Sequence, residues 1–350
     1  MRDLEARFDD DRRPARGLGL LGLRRRDRSG LFPGVRTTGR RGTTAMSECL
    51  NILPLAGALG AEVRGIQLGS MSDGEWRSVR AAWLEHLVLF FPDQHLSHAE
   101  HVALGRRLGE IEIHPFIPKV SDQFPEIVVL DSDKGARADT WHTDVTFSAT
   151  PPMASILSMI VCPERGGDTL WTNQHLAYES LSDPIRELVD GLTAVHHAAP
   201  FGRPEVRAEH PAVRIHPETG RRSLFVNRTF TSHFKQLRRS ESDVLLRMLC
   251  DWSEQPAFQV RYRWSKGAVG LWDNRATMHF AINDYREPRV IERVTVLGDV
   301  PTGPPPRWEA FRSDGYTSGS SATPATPATP ATPSKGIATD PRTNSIAKPA

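Results

Sequence analysis

Residues 140–147 read TWHTDVTF and set a histidine and an aspartate two positions apart between aromatic neighbours. In an extended chain, residues i and i+2 point to the same face. Val145, Thr146 and Phe147 favour such a strand. His142 and Asp144 should therefore project together, an imidazole beside a carboxylate. Two chemistries fit: a His–Asp hydrogen bond on a strand surface, or two ligands of a metal ion that needs a third from elsewhere. The chain has 13 histidines. His86, His95, His98 and His101 lie on or beside early helical segments, where packing or solvent exposure explains them. His279, in LWDNRATMHFAINDY, is placed just past a strand and close to a further strand that carries arginines. Alone it reads more readily as a structural histidine.

These residues need a scaffold, and the composition supplies one. The 350 residues are 39% hydrophobic and 25% charged, with net charge +2, which is ordinary for a soluble chain with a sizeable core. Three cysteines, Cys49, Cys162 and Cys250, form no C-x-x-C pair and no disulfide framework. A cytoplasmic location is expected. No run approaches the roughly 20 apolar residues of a membrane span, and LGLLGL at 18–23 is too short for a signal-peptide core.

Composition divides the chain into three parts. Residues 1–45 are rich in Arg, Asp and Gly and lack a steady period, so disorder is expected. Their arginines could bind nucleic acid, but Asp3, Asp9, Asp10, Asp11 and Asp27 are interspersed and argue against that and against a transit peptide. Met46 is read as the true start, with the preceding residues an upstream extension. Residues 46–313 carry the domain. Residues 314–350 contain tandem Ala-Thr-Pro repeats that can bury no core. Within 46–313, short strands alternate with Gly/Pro turns: LNILPLAGALGAEVRGIQL, VLFFPD, EIVVL, MASILSMI, GGDTLWTN, RSLFVN, FQVRYRW, AVGLWDN and VIERVTVLGD. Helical periods occur in SDGEWRSVRAAWLEHL, capped by Ser72 and Asp73, and in SHAEHVALGRRLGE and ESDVLLRMLCDWSEQ. Further helical turns fall at 177–181 and 183–192. The expected fold is mainly β with supporting helices, a sandwich or jelly roll.

Several linked motifs, WHTDVTF, GGDTLWTN, LFVN, WDNRATMHF and RVIERVTVLGD, resemble those of the iron(II)- and 2-oxoglutarate-dependent dioxygenases of the taurine dioxygenase (TauD/TfdA) family, over roughly residues 50–301. The resemblance implies a double-stranded β-helix. It implies that His142, Asp144 and His279 bind Fe(II), a two-histidine, one-carboxylate set that leaves positions open for 2-oxoglutarate and O2. It implies that Arg289 holds the far carboxylate of 2-oxoglutarate, where an arginine fork is suited to bidentate binding, with Thr169 as its companion. The interval from His279 to Arg289 is one residue shorter than in the taurine enzyme. That residue is placed in the loop NDYREP, with Arg286 as the alternative cation. Family members are commonly dimers or tetramers, so a homo-oligomer is expected.

The same resemblance assigns substrate contacts to Arg293, His114, Val145 and Phe230. Arg293 lies four residues after Arg289, on the same face of a strand by parity, and with His114 would hold an anionic sulfur group. At the amine end, Ile117 and Ala138 stand where the taurine enzyme has polar residues. An apolar wall there would favour an alkyl chain over an ammonium. The expected reaction is hydroxylation of the carbon next to the ester oxygen or sulfur of an alkyl sulfate ester or alkylsulfonate. The products would be an aldehyde with sulfate or sulfite, succinate and CO2. Alternatives are a taurine dioxygenase proper, a carboxylate-oxidising relative, a zinc hydrolase on the same ligands, and a metal-binding jelly-roll sensor without catalysis.

Overall fold

Four consecutive apolar residues, Val88–Phe91, are wholly or almost wholly inaccessible. Side chains alternate along a strand, so this strand must be covered on both faces. Leu89 and Phe91 face one apolar cluster with Val79, Trp83, Leu104 and Leu271. Val88 and Phe90 face a second with Leu157, Trp171, Val260 and Trp272.

The computed structural model describes residues 50–114, 117–135 and 138–312; the segments 1–45 and 314–350 discussed above lie outside them. Val88–Phe91 belongs to a seven-stranded sheet in the order Asn51–Pro54, Ala61–Arg64, Val88–Phe91, Val269–Asp273, Ala154–Val161, Val290–Val296, Ile127–Asp131. The first cluster packs helices Asp73–His86 and His98–Leu108 on one face of this sheet. Both helices start with a capping box. Ser72 and Ser97 accept from the backbone N–H of Glu75 and Glu100, whose carboxylates accept from the serine N–H. The second cluster joins the other face to a three-stranded sheet, Gln259–Tyr262, Thr169–Asn173, Thr277–Ala281. Two sheets closed over one apolar layer make the expected jelly roll. A further three-stranded sheet, Thr231–Phe234, Thr193–Ala198, Arg203–Pro211, packs with helix Arg239–Ser253 around a third cluster.

The structure departs from the sequence reading at two places that matter. His279 lies within strand Thr277–Ala281 rather than past a strand. Residues Val145–Phe147 form a turn, not a strand, closed by a Ser148 N–H to Val145 carbonyl bond of 3.0 Å. Val145 sits at φ 53°, a left-handed conformation that a β-branched residue adopts only under constraint. The constraint comes from tertiary hydrogen bonds that override β propensity. Among the described residues, no helix is long and apolar enough to cross a membrane.

Candidate metal and substrate site

Two backbone hydrogen bonds tie His142 to His279 as an antiparallel pair, N–H to carbonyl at 3.1 and 2.8 Å. That pairing brings a loop and a strand together, with the imidazole rings 4.1 Å apart. The loop then turns sharply so that Asp144 faces both rings. Its Oδ1 lies 3.7 Å from His142 Nε2 and 3.9 Å from His279 Nε2.

Asn274 holds the turn. Its Oδ1 accepts from the Asp144 N–H at 2.9 Å, and its Nδ2 donates to the carbonyls of Asp144 (3.1 Å) and Pro152 (3.0 Å). Thr143 donates to the Thr277 carbonyl. Thr146 Oγ1 lies 3.0 Å from His196 Nδ1 and accepts from Asn227 Nδ2, while His210 Nε2 donates to the Thr146 and Ser148 carbonyls. Asn274 stands within the quoted WDNRATMHF motif, but nothing local announces that it grips a loop 130 residues away.

His142, Asp144 and His279 are buried, and their candidate ligand atoms lie within 4.8 Å of one another. His142 Nδ1 donates to the Thr140 carbonyl at 2.7 Å, which leaves the Nε2 lone pair facing Asp144. Burial, with His142 alongside, brings His279 down to about 3 against the pull of Asp144. Burial also lowers His142. For Asp144, burial pushes upward, but Arg293 and then the two imidazoles override it and hold the carboxyl below the usual range. Two neutral imidazoles and a carboxylate gathered in a dry site make a donor set that suits a divalent first-row metal with open positions. Ser155 Oγ donates to Asp144 Oδ2, and Arg293 Nη1 donates to both carboxylate oxygens at 3.0 and 3.1 Å.

A cavity of about 80 Å³ adjoins His279 and is lined by Thr169, Arg289 and Arg293. Arg289, Ile291 and Arg293 all line it, as parity requires. The bulge at the start of strand Val290–Val296 leaves this alternation intact, because the extra residue lies on the neighbouring strand, between Met159 and Val161. Arg289 is buried. Its Nε donates to the Gly167 carbonyl at 3.1 Å, and its Nη2 has no partner. Burial lowers its pKa, opposed by Tyr285, Cys162 and Asp168. Thr169 Oγ1 accepts from Trp264 Nε1 at 2.9 Å, so its own proton can be donated elsewhere. Arg286 is exposed and does not line the cavity.

A second cavity, about 260 Å³, is lined by Val145, Phe147, Ala198, Phe201 and Val206 and by the polar Glu112, His114 and Arg203. His114 Nδ1 accepts from the Ile117 N–H at 3.1 Å, which puts the ring proton on Nε2. Phe230 backs this wall, 5.2 Å from the Phe147 ring, 6.0 Å from Phe201 and edge-on to His142 at 6.1 Å. The apolar lining differs from the one expected. Ala138 lines the first cavity, because its carbonyl accepts from the N–H of Ala281 on the His279 strand. Ile117 does not line the second. Arg293 lines the first cavity, and after burial its charge is the next cause that lowers the pKa of the His114 imidazole of the second. Glu112, which no local motif signals, is present in the second.

Residues 51–295 match the family described as taurine catabolism dioxygenase TauD, TfdA family. The chain is 39% identical over 277 residues to an alpha-ketoglutarate-dependent sulfate ester dioxygenase of Pseudomonas putida, covering 73% of this chain and 91% of the relative. It is 38% identical over 280 residues to an alkylsulfatase of Acinetobacter baylyi, covering 73% and 88%. A crystal structure titled as a taurine dioxygenase from Burkholderia xenovorans superposes with TM-score 0.68 at 41% identity, covering 75% of this chain and 95% of that one. Sequence relatives, solved fold and the clustered motifs agree: the chain belongs to the TauD/TfdA family of 2-oxoglutarate-dependent dioxygenases, oxidoreductases that consume 2-oxoglutarate and O2.

Proposed function

We propose that the protein oxidises alkyl sulfate esters, with alkylsulfonates as a related class, at the carbon bearing the ester oxygen or the sulfur. His142, Asp144 and His279 hold iron(II), which supplies the oxygen chemistry when bound. Arg289 and Thr169 bind the far carboxylate of 2-oxoglutarate. His114 and Arg293 meet the anionic head group, while Val145, Phe147 and Phe230 exclude water from the carbon that reacts. The hydroxylated sulfate ester collapses as its hydroxyl proton leaves and the carbon–oxygen bond to sulfate breaks, giving an aldehyde and sulfate. A sulfonate gives sulfite. 2-Oxoglutarate ends as succinate and CO2.

The observation that carries this reading is the pairing of two unlike cavities beside one His–Asp–His cluster. One is lined by two buried arginines, the other mostly by apolar side chains. The names of the sulfate ester dioxygenase and alkylsulfatase relatives favour the same substrate class. The test is a matched series of alkyl sulfates, alkylsulfonates and taurine, assayed for aldehyde, sulfate, sulfite and succinate. Each methylene buried in the second cavity should improve binding by about 0.8 kcal/mol, nearly fourfold, until the cavity is filled. Highest efficiency with taurine, or turnover of carboxylates alone, would refute the assignment.

A further inference from the structure

Different sheets contribute the polar and the apolar lining of the second cavity. Glu112 and His114 belong to a segment held against strand Val290–Val296, where the Glu112 N–H donates to the Thr295 carbonyl at 2.8 Å. Ala198, Phe201 and Val206 come from the sheet ordered Thr231–Phe234, Thr193–Ala198, Arg203–Pro211 and from the turn within it. Phe230 immediately precedes the first of these strands, and its ring lies 6.1 Å from His142. Val206 is on the last of them. Neighbouring strands lie roughly 4.8 Å apart, so two steps across the sheet carry the lining roughly 10 Å from the metal-site end to Val206.

A bulge aims Val206 at the cavity. His197 pairs with Arg207, but Ala198 pairs with Arg203. One step on the middle strand thus spans four on the outer one, and Pro204, Glu205 and Val206 have no partner across the ladder. Pro204 has no N–H to leave unpaired, and Arg207 Nε closes the bulge by donating to the Pro204 carbonyl at 2.7 Å. Bulges beside a site re-aim side chains in this way. Val206 lines the cavity yet is 40% exposed, whereas Phe230 is 4% exposed, so Val206 stands where the cavity meets solvent. Arg203, at the foot of the bulge, is exposed and also lines the cavity. An arginine there keeps its guanidinium in water while its stem covers apolar surface.

We propose that Val206 is a specificity-determining residue that reads the far end of the alkyl chain and so sets how the enzyme ranks substrates by length. This rests on the substrate reading above. With the head group and the reacting carbon held at the His142 end, a short chain ends against Phe147 and Phe230 and never reaches the bulge. A longer chain lies along Ala198 and Phe201 and leaves water by covering Val206. The bulge is open to solvent, so no wall stops the chain. The gain per methylene fades as carbons pass Val206 instead of turning into a clash.

The experiment compares butyl sulfate with octyl sulfate. Dissociation constants are measured by calorimetry under argon on the full chain loaded with Mn(II) and 2-oxoglutarate, for wild type, V206D and V206K. Four more methylenes, each worth up to nearly fourfold when buried, should make wild type favour octyl over butyl sulfate by at least about 30-fold. Both variants should narrow that ratio at least fivefold, because an apolar tail would strip water from either charge without replacing it. A ratio within one variant is insensitive to the fraction that folds, and any effect of the new charge on the shared head group cancels in it. A wild-type ratio under threefold, or an unchanged ratio in both variants, overturns the proposal. So do opposite shifts in the two variants, which would mean that position 206 acts through charge and not on the tail. Separate turnover of octyl sulfate tests the reaction itself: a wild type that binds it without oxidising it refutes the substrate reading and leaves the tail contact standing. If wild type binds neither sulfate, the substrate reading falls, and the ratio of octanoate to butanoate affinity decides the tail contact by the same criterion.

Discussion

Arg289→Ala tests the first cavity through both binding and stability. In the ligand-free protein the Arg289 guanidinium is buried, donates from Nε to the Gly167 carbonyl and leaves Nη2 unpartnered. Among the described residues it has no carboxylate in ion-pair contact. A 2-oxoglutarate carboxylate would supply what is missing. Two charge-assisted hydrogen bonds at about 1.5–3 kcal/mol each amount to roughly 3–6 kcal/mol. The variant should therefore lose between about 10² and 10⁴ in 2-oxoglutarate affinity.

Stability should respond differently. The ligand-free variant loses the packing of the arginine stem but sheds a poorly partnered buried cation, so its stability should change by less than about 1.5 kcal/mol. At a concentration 100 times the wild-type Kd, 2-oxoglutarate stabilises wild type by about 2.7 kcal/mol. A variant bound 100-fold more weakly gains only about 0.4 kcal/mol at that concentration. Thermal melts with and without 2-oxoglutarate read the linkage, and succinate formation gives KM. Arg289→Lys keeps the charge without the fork and should recover part of the loss. A KM change under tenfold, or a full ligand-induced shift in the alanine variant, would place the carboxylate elsewhere.

Alanine at His142, Asp144 or His279 should abolish both Mn(II) binding by calorimetry and succinate formation, while far-ultraviolet dichroism stays unchanged, and a variant that still binds metal at wild-type strength removes its residue from the set. Acid should destabilise the fold through His101 and His175, each lowered by burial to about 4 against about 6.5 in an unfolded chain. The unfolded state binds more protons between those values, so the stabilisation is complete above about pH 6.5 and is lost as pH falls toward 4. Each residue contributes about 3 kcal/mol over that window. His101→Gln should flatten the acid limb of a urea-midpoint titration by up to roughly 1.4 kcal/mol per pH unit, and an unchanged slope would show that His101 takes up its proton while folded.

The site was legible where its geometry follows a short period. Arg289 and Arg293 keep the alternation of a strand whose bulge falls on its neighbour, whereas His142 and Asp144, two apart in sequence, converge because the loop turns at Asp144. The strands in VLFFPD and AVGLWDN were readable as apolar runs buried on both faces. The turn at Val145 was not. Its residues favour a strand, and it bends because Asn274, His210 and Asn227, all distant in sequence, claim its backbone and side-chain groups.

Long-range hydrogen bonds also decide which cavity a residue enters. Ala138 was placed in the substrate wall by the resemblance to the taurine enzyme, yet one bond from the Ala281 N–H carries it to the first cavity. Glu112 was passed over for the complementary reason. Glu-Ile-His reads as ordinary polar alternation until the Thr295 pairing turns the carboxyl toward the metal-site face. A side chain's spacing along the sequence limits its chemistry, but the charge it meets is set by the strand opposite. Asp144 and Glu112 show the consequence. Both are carboxyls on chain segments that pass the same strand, Val290–Val296, and Arg293 on that strand bonds the first directly. The first is driven to ionise. The second, two positions along and without an ion pair, is driven toward its neutral form.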